Sequence, residues 1–163
     1  MELAVLHFVA AAASINLAPS DAPDEFSRFP AQVITAHAQP VIRLAEHRLF
    51  RTRIRQGMVS GINFAGHFTF VIVGCGAGCV NGWFVDRQNG RIVDAPVGGE
   101  EFPVLRYGIK PDSRLVKAEW LPRDFPDPGE QCVRQDFVWD RNEFKALNSP
   151  HKAACEDEDH LPG

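Results

Sequence analysis

The sequence predicts an α+β domain in which one N-terminal helix packs on an antiparallel sheet of about five or six strands. From Val41 to Met58, apolar residues recur at three- and four-residue spacing, which is typical of an amphipathic helix. The rest of the chain has short runs of β-branched and aromatic residues separated by turn signals. Because 12 prolines and 13 glycines also suit a chain with many turns, a mostly β barrel or sandwich is the alternative.

The two ends of the chain differ in composition from its centre. We predict a signal peptide at residues 1–17, because residues 3–13 are apolar except for one histidine and Ala11-Ala12-Ala13 is an acceptable cleavage signal; a short core helix is the alternative. Residues 18–40 have linker composition, residues 41–155 are expected to form a single domain, and residues 156–163 are expected to be a flexible acidic tail. No later apolar run is long enough for a transmembrane span.

The predicted helix combines one apolar face with a group of arginines. Its apolar positions are Ile42, Ala45, Leu49, Phe50, Ile54 and Met58. The arginines fall mostly on the other face: Arg43, Arg48, Arg51, Arg53 and Arg55. Gly57 and Gly61 are expected to end the helix. This pattern favours a solvated helix face, with an anionic partner or membrane surface as the alternative.

Seven short runs predict strands, at residues 68–73, 83–86, 91–93, 102–105, 114–121, 132–139 and 143–147. The second and third are expected to form a hairpin, because Asn89-Gly90 tolerates positive φ at low cost. Residues 110–113 are predicted to turn, and residues 122–130 form a loop broken by prolines. The tryptophans in these strands are expected to lie in the core: Trp83, Trp120 and Trp139.

The segment Gly74-Cys75-Gly76-Ala77-Gly78-Cys79 interrupts the strand pattern. A redox dithiol motif has two residues between its cysteines and precedes a helix, whereas three residues intervene here and a strand follows. A P-loop would need a lysine and a following helix. A zinc site with His67 and Cys132 would lack the second close pair of ligands that structural zinc prefers. The pattern therefore favours a local disulfide, with glycines that let so small a ring close.

Four cysteines fit two disulfides in an exported protein. A Cys75–Cys79 bridge would close about five residues and contribute about 2 kcal/mol, whereas a Cys132–Cys155 bridge would close about 24 residues and contribute about 3.4 kcal/mol. The short bridge would thus mainly fix the shape of its loop. Other pairings remain open.

These features predict a disulfide-stabilised binding protein, periplasmic or secreted, that recognises a protein partner in the cell envelope through the 74–79 loop. The candidate binding residues are Asn63, His67, Gly76, Ala77 and Gly78. We expect no cofactor, no metal ligand and, with a net charge of −4, no nucleic-acid partner. The alternative is a small enzyme or ligand-binding protein using His67, Asn63 and a free Cys75 or Cys79; a third hypothesis is an envelope component without a discrete ligand.

The stretch from residue 47 onward resembles a family of exported bacterial proteins for which no activity is established. The family combines an arginine-rich helix, an Asn-Phe-Ala-Gly-His motif, a strand and a Gly-Cys-Gly-x-x-Cys loop, which fall here on residues 63–67 and 74–79 and extend in similarity to about residue 147. The resemblance implies export and the strand–loop–strand order. The loop is more loosely similar to the one with which periplasmic lysozyme inhibitors plug an enzyme cleft, but it lacks their histidine and aspartate.

Overall fold

The structure is a computed structural model that describes residues 24–123 and 131–155. The predicted signal peptide, the start of the predicted linker, most of the loop at 122–130 and the acidic tail lie outside these residues. The helices are α1 (Ala45–Leu49) and α2 (Arg51–Gly57), with 3-10 turns at Glu25–Arg28 and Met58–Ser60. The strands are β1 (Phe68–Gly76), β2 (Cys79–Asp86), β3 (Ile92–Asp94), β4 (Arg106–Gly108), β5 (Leu115–Trp120), β6 (Gln131–Asp140), β7 (Glu143–Ala146) and β8 (His151–Ala154).

The strands form two antiparallel sheets, so the expectation of a single sheet is wrong. Strands β1, β2 and β3 make a three-stranded sheet in that order, and β4 to β7 make a second sheet in which β8 also pairs with β6. The two halves of β6 pair with different strands: residues 137–140 pair with β7, and residues 131–134 pair with β8. With 40% sheet and 15% helix, the described residues are mostly β, and two facing sheets agree better with the sandwich alternative.

The main core lies between the two sheets. Along β1, Phe68 and Phe70 point into this core, where the Phe70 ring stacks on Phe84 of β2 with centroids 4.3 Å apart. The second sheet supplies Val116, which is fully buried, and Trp139, whose ring meets Phe68 edge-on. The three tryptophans are all buried, as predicted.

The opposite face of the first sheet is covered by the helices, because β1 and β2 carry apolar residues on both faces. The residues of this second cluster are Ile54, Met58, Val71, Val73, Trp83 and Val85. The predicted helix is in fact two short helices joined at Phe50, and Leu49 on its predicted apolar face is 82% exposed. Of the predicted apolar positions, Ile54 and Met58 are buried, and His47, which was not among them, is buried as well. All five arginines are exposed, as predicted.

Two strand predictions need correction. Residues 102–105, predicted as a strand, form turns and a connection between the sheets, and the nearby strand is β4 at residues 106–108. Strand β8 was not predicted, since its four residues have no apolar run. The hairpin between β2 and β3 is confirmed, because the Gly90 N–H donates to the Asp86 carbonyl oxygen at 2.7 Å. No helix in the described ranges is long and apolar enough to cross a membrane.

Residues 24–40, predicted as part of a linker, are hydrogen-bonded to the connections that precede β1 and β5. The Ile34 N–H donates to the Gly66 carbonyl oxygen at 2.9 Å, and Ser113 donates its hydroxyl to the carbonyl oxygen of the buried Phe26 at 2.8 Å. At the start of this segment, Asp24 pairs with Lys110, and the hydrogen bond from that ammonium lowers the pKa of the Asp24 carboxyl. The segment is therefore bonded to the rest of the domain along its length.

Candidate functional site

The 74–79 loop is the tip of the β1–β2 hairpin. A disulfide joins Cys75 and Cys79, whose Cα atoms are 5.1 Å apart, and Gly76 pairs directly with Cys79 across the hairpin. The strand register shifts between Gly74 and Gly76, which places one extra residue in β1 as a bulge. Gly76 and Gly78 have φ of 144° and 73°, values that other residues adopt only with strain. The glycines thus allow the chain to reverse within the disulfide ring.

The loop is exposed on its outer side and supported from one neighbouring segment. Gly76, Ala77 and Gly78 are all exposed, whereas Cys79 is 6% exposed. The Val104 N–H donates to the Gly78 carbonyl oxygen at 2.8 Å, which ties the tip to the connection between the sheets. Val104 itself has φ of 55° and is 45% exposed. The tip is therefore fixed in shape, and it presents backbone and small side chains to solvent.

The outer edge of β1 next to this loop has backbone groups without a partner strand. Strand β1 pairs only with β2 in its sheet, and alternate residues of an antiparallel strand turn their N–H and C=O groups to the opposite side. On that side Phe68 bonds to the Phe64 backbone and Phe70 to the Asn63 side chain. By the same alternation Ile72 and Gly74 point outward, and neither has a hydrogen bond there to a described residue.

A groove runs between this edge and the helix α2. Its strand wall is formed by residues 70–74, and its helix wall includes Arg53, Gln56 and Gly57. Ile72 is 49% exposed, which makes it one of the large apolar residues at the surface. Arg53 is also exposed, so the groove combines an unpaired strand edge, one apolar side chain and a positive charge.

Asn63 and His67 lie outside the disulfide loop, at different distances from it. His67 directly precedes β1, which has 9 residues, so at about 3.3 Å per residue it lies roughly 25 Å from the disulfide loop, whereas Asn63 folds back beside Phe70 and lies roughly 15 Å from that loop. Asn63 holds the Phe70 backbone with both ends of its amide. The His67 ring packs on Phe68 with centroids 4.3 Å apart, and its carbonyl oxygen accepts the Arg87 N–H. His67 therefore has a structural role at the far end of the hairpin, and Asn63 has one at the edge of β1, directly before the open part of that edge.

All four cysteines are in disulfides, Cys75 with Cys79 and Cys132 with Cys155. A free thiol nucleophile at Cys75 or Cys79 is therefore excluded in this state, as is a cysteine metal site with His67. A nucleophile pair of His67 with either cysteine is also ruled out by distance, because His67 and the two cysteines lie at opposite ends of β1. The long bridge fastens Cys155, just after β8, to the buried Cys132 of β6.

Sequence reasoning missed two residues of the site. Ile72 is indistinguishable in sequence from the other apolar residues of its strand, and only its place beyond the edge of the core leaves it exposed. Val104 falls in a run that resembles a strand, and nothing in that run indicates its positive φ. Comparisons of this chain with protein-family models, with curated proteins and with solved structures found no match.

Proposed function

We propose that this chain is an exported, disulfide-stabilised binding protein that takes an extended, acidic segment of a protein partner onto the outer edge of β1. The observation that carries this proposal is the pair of outward-facing residues Ile72 and Gly74, which lie in an exposed groove directly beside the fixed tip of the hairpin. The proposal keeps the 74–79 loop as a recognition element and replaces Asn63 and His67 with the strand edge.

The backbone supports the addition of a strand. Asn63 already imitates a neighbouring strand at Phe70, since its amide satisfies one N–H and one C=O of β1. A partner segment would continue this pattern at the next outward positions, Ile72 and Gly74. Strand addition gains main-chain hydrogen bonds at an unpaired edge, and its specificity comes from the side chains on either side. Such edges are usually covered or blunted in monomeric proteins.

The charge of the groove indicates an acidic segment. Arg53 lines the groove, and the other exposed arginines of the same helical stretch add positive charge nearby. Complementary charge favours encounter and fixes the orientation of a bound strand. Ile72 provides the apolar contact, so the best segment would alternate an acidic residue with an apolar one.

The disulfide loop contributes shape rather than stability. Its ring is so short that the bridge contributes only about 2 kcal/mol to folding, yet it holds three exposed residues in one conformation. A contact surface that is already ordered loses less conformational entropy on binding. The two disulfides fit an exported protein, and the resemblance to an exported family supports the same compartment.

The experiment places a photoreactive amino acid at Ala77, which is exposed, has no positive φ and lies at the tip of the loop. The matched control carries it at Leu147, an exposed apolar residue after β7. After irradiation in an envelope extract of the producing organism, mass spectrometry identifies the adducts. We expect one protein to be joined at Ala77 and not at Leu147, and an acidic extended segment of it to carry the link.

Two outcomes would overturn the proposal. The first is the same set of adducts at both positions, which would mean that the tip has no preferred partner. The second is a link within the purified protein from Ala77 to residues 156–163, which would make the acidic tail of the chain itself the occupant. A version ending at Cys155 checks this second outcome, because removing the tail leaves the groove open and should not reduce the partner adduct.

A further inference from the structure

His47 is a buried side chain on a helix that is otherwise exposed. It is 3% exposed, whereas the other residues of α1 face solvent. Its ring meets Trp83 edge-on, with centroids 6.1 Å apart. The Nε2 atom has no hydrogen-bond partner and lies 3.5 Å from Oδ1 of Asp94. A buried imidazole nitrogen is thus aimed at a carboxylate without bonding to it.

A second carboxylate, that of Glu46, lies close to the side chains of His47 and Asp94. One ligand atom each from Glu46, His47 and Asp94 can be chosen so that all lie within 4.8 Å of one another. Glu46 and Asp94 are exposed, the Asp94 side chain to 67%. These two carboxylates can therefore rotate, whereas the imidazole is held in place by the residues that bury it.

We propose that Glu46, His47 and Asp94 bind a divalent transition-metal ion such as Zn²⁺. Zinc takes imidazole and carboxylate ligands at about 2.0–2.2 Å, so ligand atoms on one ion are about 3–4 Å apart. The observed spacing needs only a small rotation of the exposed carboxylates. Three protein ligands leave further positions of the ion open to water or to an incoming group.

The chemistry of the ligands decides the class of ion. Calcium and magnesium prefer oxygen ligands alone, whereas an imidazole nitrogen suits zinc, copper, nickel and iron. Arg43 and Arg91 line the cavity on which His47 also borders, and their charges oppose any cation held by electrostatics alone. The site therefore favours an ion that gains from coordination by nitrogen.

The test uses the untagged full chain and Zn²⁺ alone, with Co²⁺ as a spectroscopic probe. We expect Zn²⁺ at about a hundredfold excess over its Kd to raise the Tm by at least about 5 °C, and Co²⁺ to give a visible absorption band with an imidazole ligand. The exposed ligands are replaced in Asp94→Asn and Glu46→Gln, which should each weaken binding at least about tenfold. Glu101→Gln, at an exposed site outside the cluster, is the matched control and should bind as the wild type does.

A simple ion pair between His47 and Asp94 would give different results. In that case Asp94→Asn would lower the Tm of the metal-free protein, and Zn²⁺ would change the Tm of neither form. Zn²⁺ binding that survives in both Asp94→Asn and Glu46→Gln would mean adventitious binding elsewhere on the surface. Either outcome overturns the metal site. Neither bears on the groove beside β1, because none of the three proposed ligands lines that groove.

Discussion

The Asn63 side chain holds the outer edge of β1 at Phe70, accepting its N–H at 2.6 Å and donating to its carbonyl oxygen at 3.2 Å. One side chain thereby takes the place of a neighbouring strand for one residue. This contact divides the edge into a part closed by the protein itself, at Phe68 and Phe70, and an open part at Ile72 and Gly74. The open part of the edge begins directly after Phe70, the residue that Asn63 holds, and it forms most of the strand wall of the groove beside α2.

Replacing Asn63 by alanine should destabilise the fold. The change leaves the half-buried N–H and C=O of Phe70 without their partner, and we expect a loss of about 1–3 kcal/mol in the free energy of unfolding. Urea unfolding measures this loss. Asn63→Asp retains the acceptor and loses the donor, so its free energy of unfolding should lie between those of the wild type and Asn63→Ala. A loss below about 0.5 kcal/mol for Asn63→Ala would show that water or a shifted strand replaces the amide.

Gly66 is required by the close approach of another segment. An added Cβ would lie 2.0 Å from the carbonyl oxygen of Gln32, and φ is 76°. Gly61 is a matched control, because its φ is 72° but no atom lies within 4 Å of its Cβ position. Gly61→Ala should cost about 1–3 kcal/mol from the backbone alone, because its ψ of −157° lies in a region that almost only glycine adopts, and Gly66→Ala clearly more. Equal losses in thermal unfolding would show that residues 31–33 move away freely.

The two disulfides should differ in their contribution to stability. Replacing Cys75 and Cys79 together by alanine should cost about 2 kcal/mol, and replacing Cys132 and Cys155 about 3.4 kcal/mol, because the longer ring restricts the unfolded chain more. Denaturant unfolding of the two double variants gives both values. Thiol alkylation of the non-reduced wild type should modify none of the four cysteines. A larger loss for the short bridge would give it a structural role and weaken its assignment to recognition.

Tyr107, the single tyrosine of the chain, should stay protonated until the protein unfolds at alkaline pH. Burial raises the pKa of its phenol, whose hydroxyl donates to the Val97 carbonyl oxygen. Above about pH 10 the unfolded chain releases this proton while the folded chain keeps it. The folded state then binds more protons, so the free energy of unfolding falls as pH rises through this range. Ultraviolet absorbance of tyrosinate measures the ionisation.

The expected absorbance change coincides with loss of tertiary structure by circular dichroism. The Tyr107→Phe variant removes the tyrosinate signal and part of the alkaline destabilisation. Ionisation of Tyr107 near pH 10 in a protein that remains folded would contradict its burial.

The strands could be predicted from the sequence better than their arrangement. Alternation of Phe68 and Phe70 with Val71 and Val73 indicates a strand buried on both faces, but it does not tell whether a helix or a second sheet covers each face. The chain passes from one sheet to the other in the connection from residue 95 to 105. The Pro and Gly residues there predict turns, but they do not predict which sheet the next strand joins. Two facing sheets were therefore not predictable from local pattern.

The candidate site was predicted in part. The local spacing of Cys75 and Cys79 favoured their disulfide, because the glycines between them allow a ring of about five residues to close. The separation of His67 from the loop follows from the length of β1, which the apolar run 68–73 underestimates. His47 follows the same helical spacing as Ile54 and Met58, but a single polar residue on an apolar face gives too weak a signal to find a metal ligand.

The most direct test of the proposed strand addition is the yield of the Ala77 photo-adduct in an Ile72→Pro background. Proline at an outer strand edge removes one outward N–H and keeps the extended backbone, whereas Ile72→Thr keeps the N–H and shortens the apolar side chain. With both variants shown to be folded by circular dichroism, we expect Ile72→Pro to abolish the adduct and Ile72→Thr to reduce it only partly. An undiminished adduct in Ile72→Pro would contradict strand addition at β1.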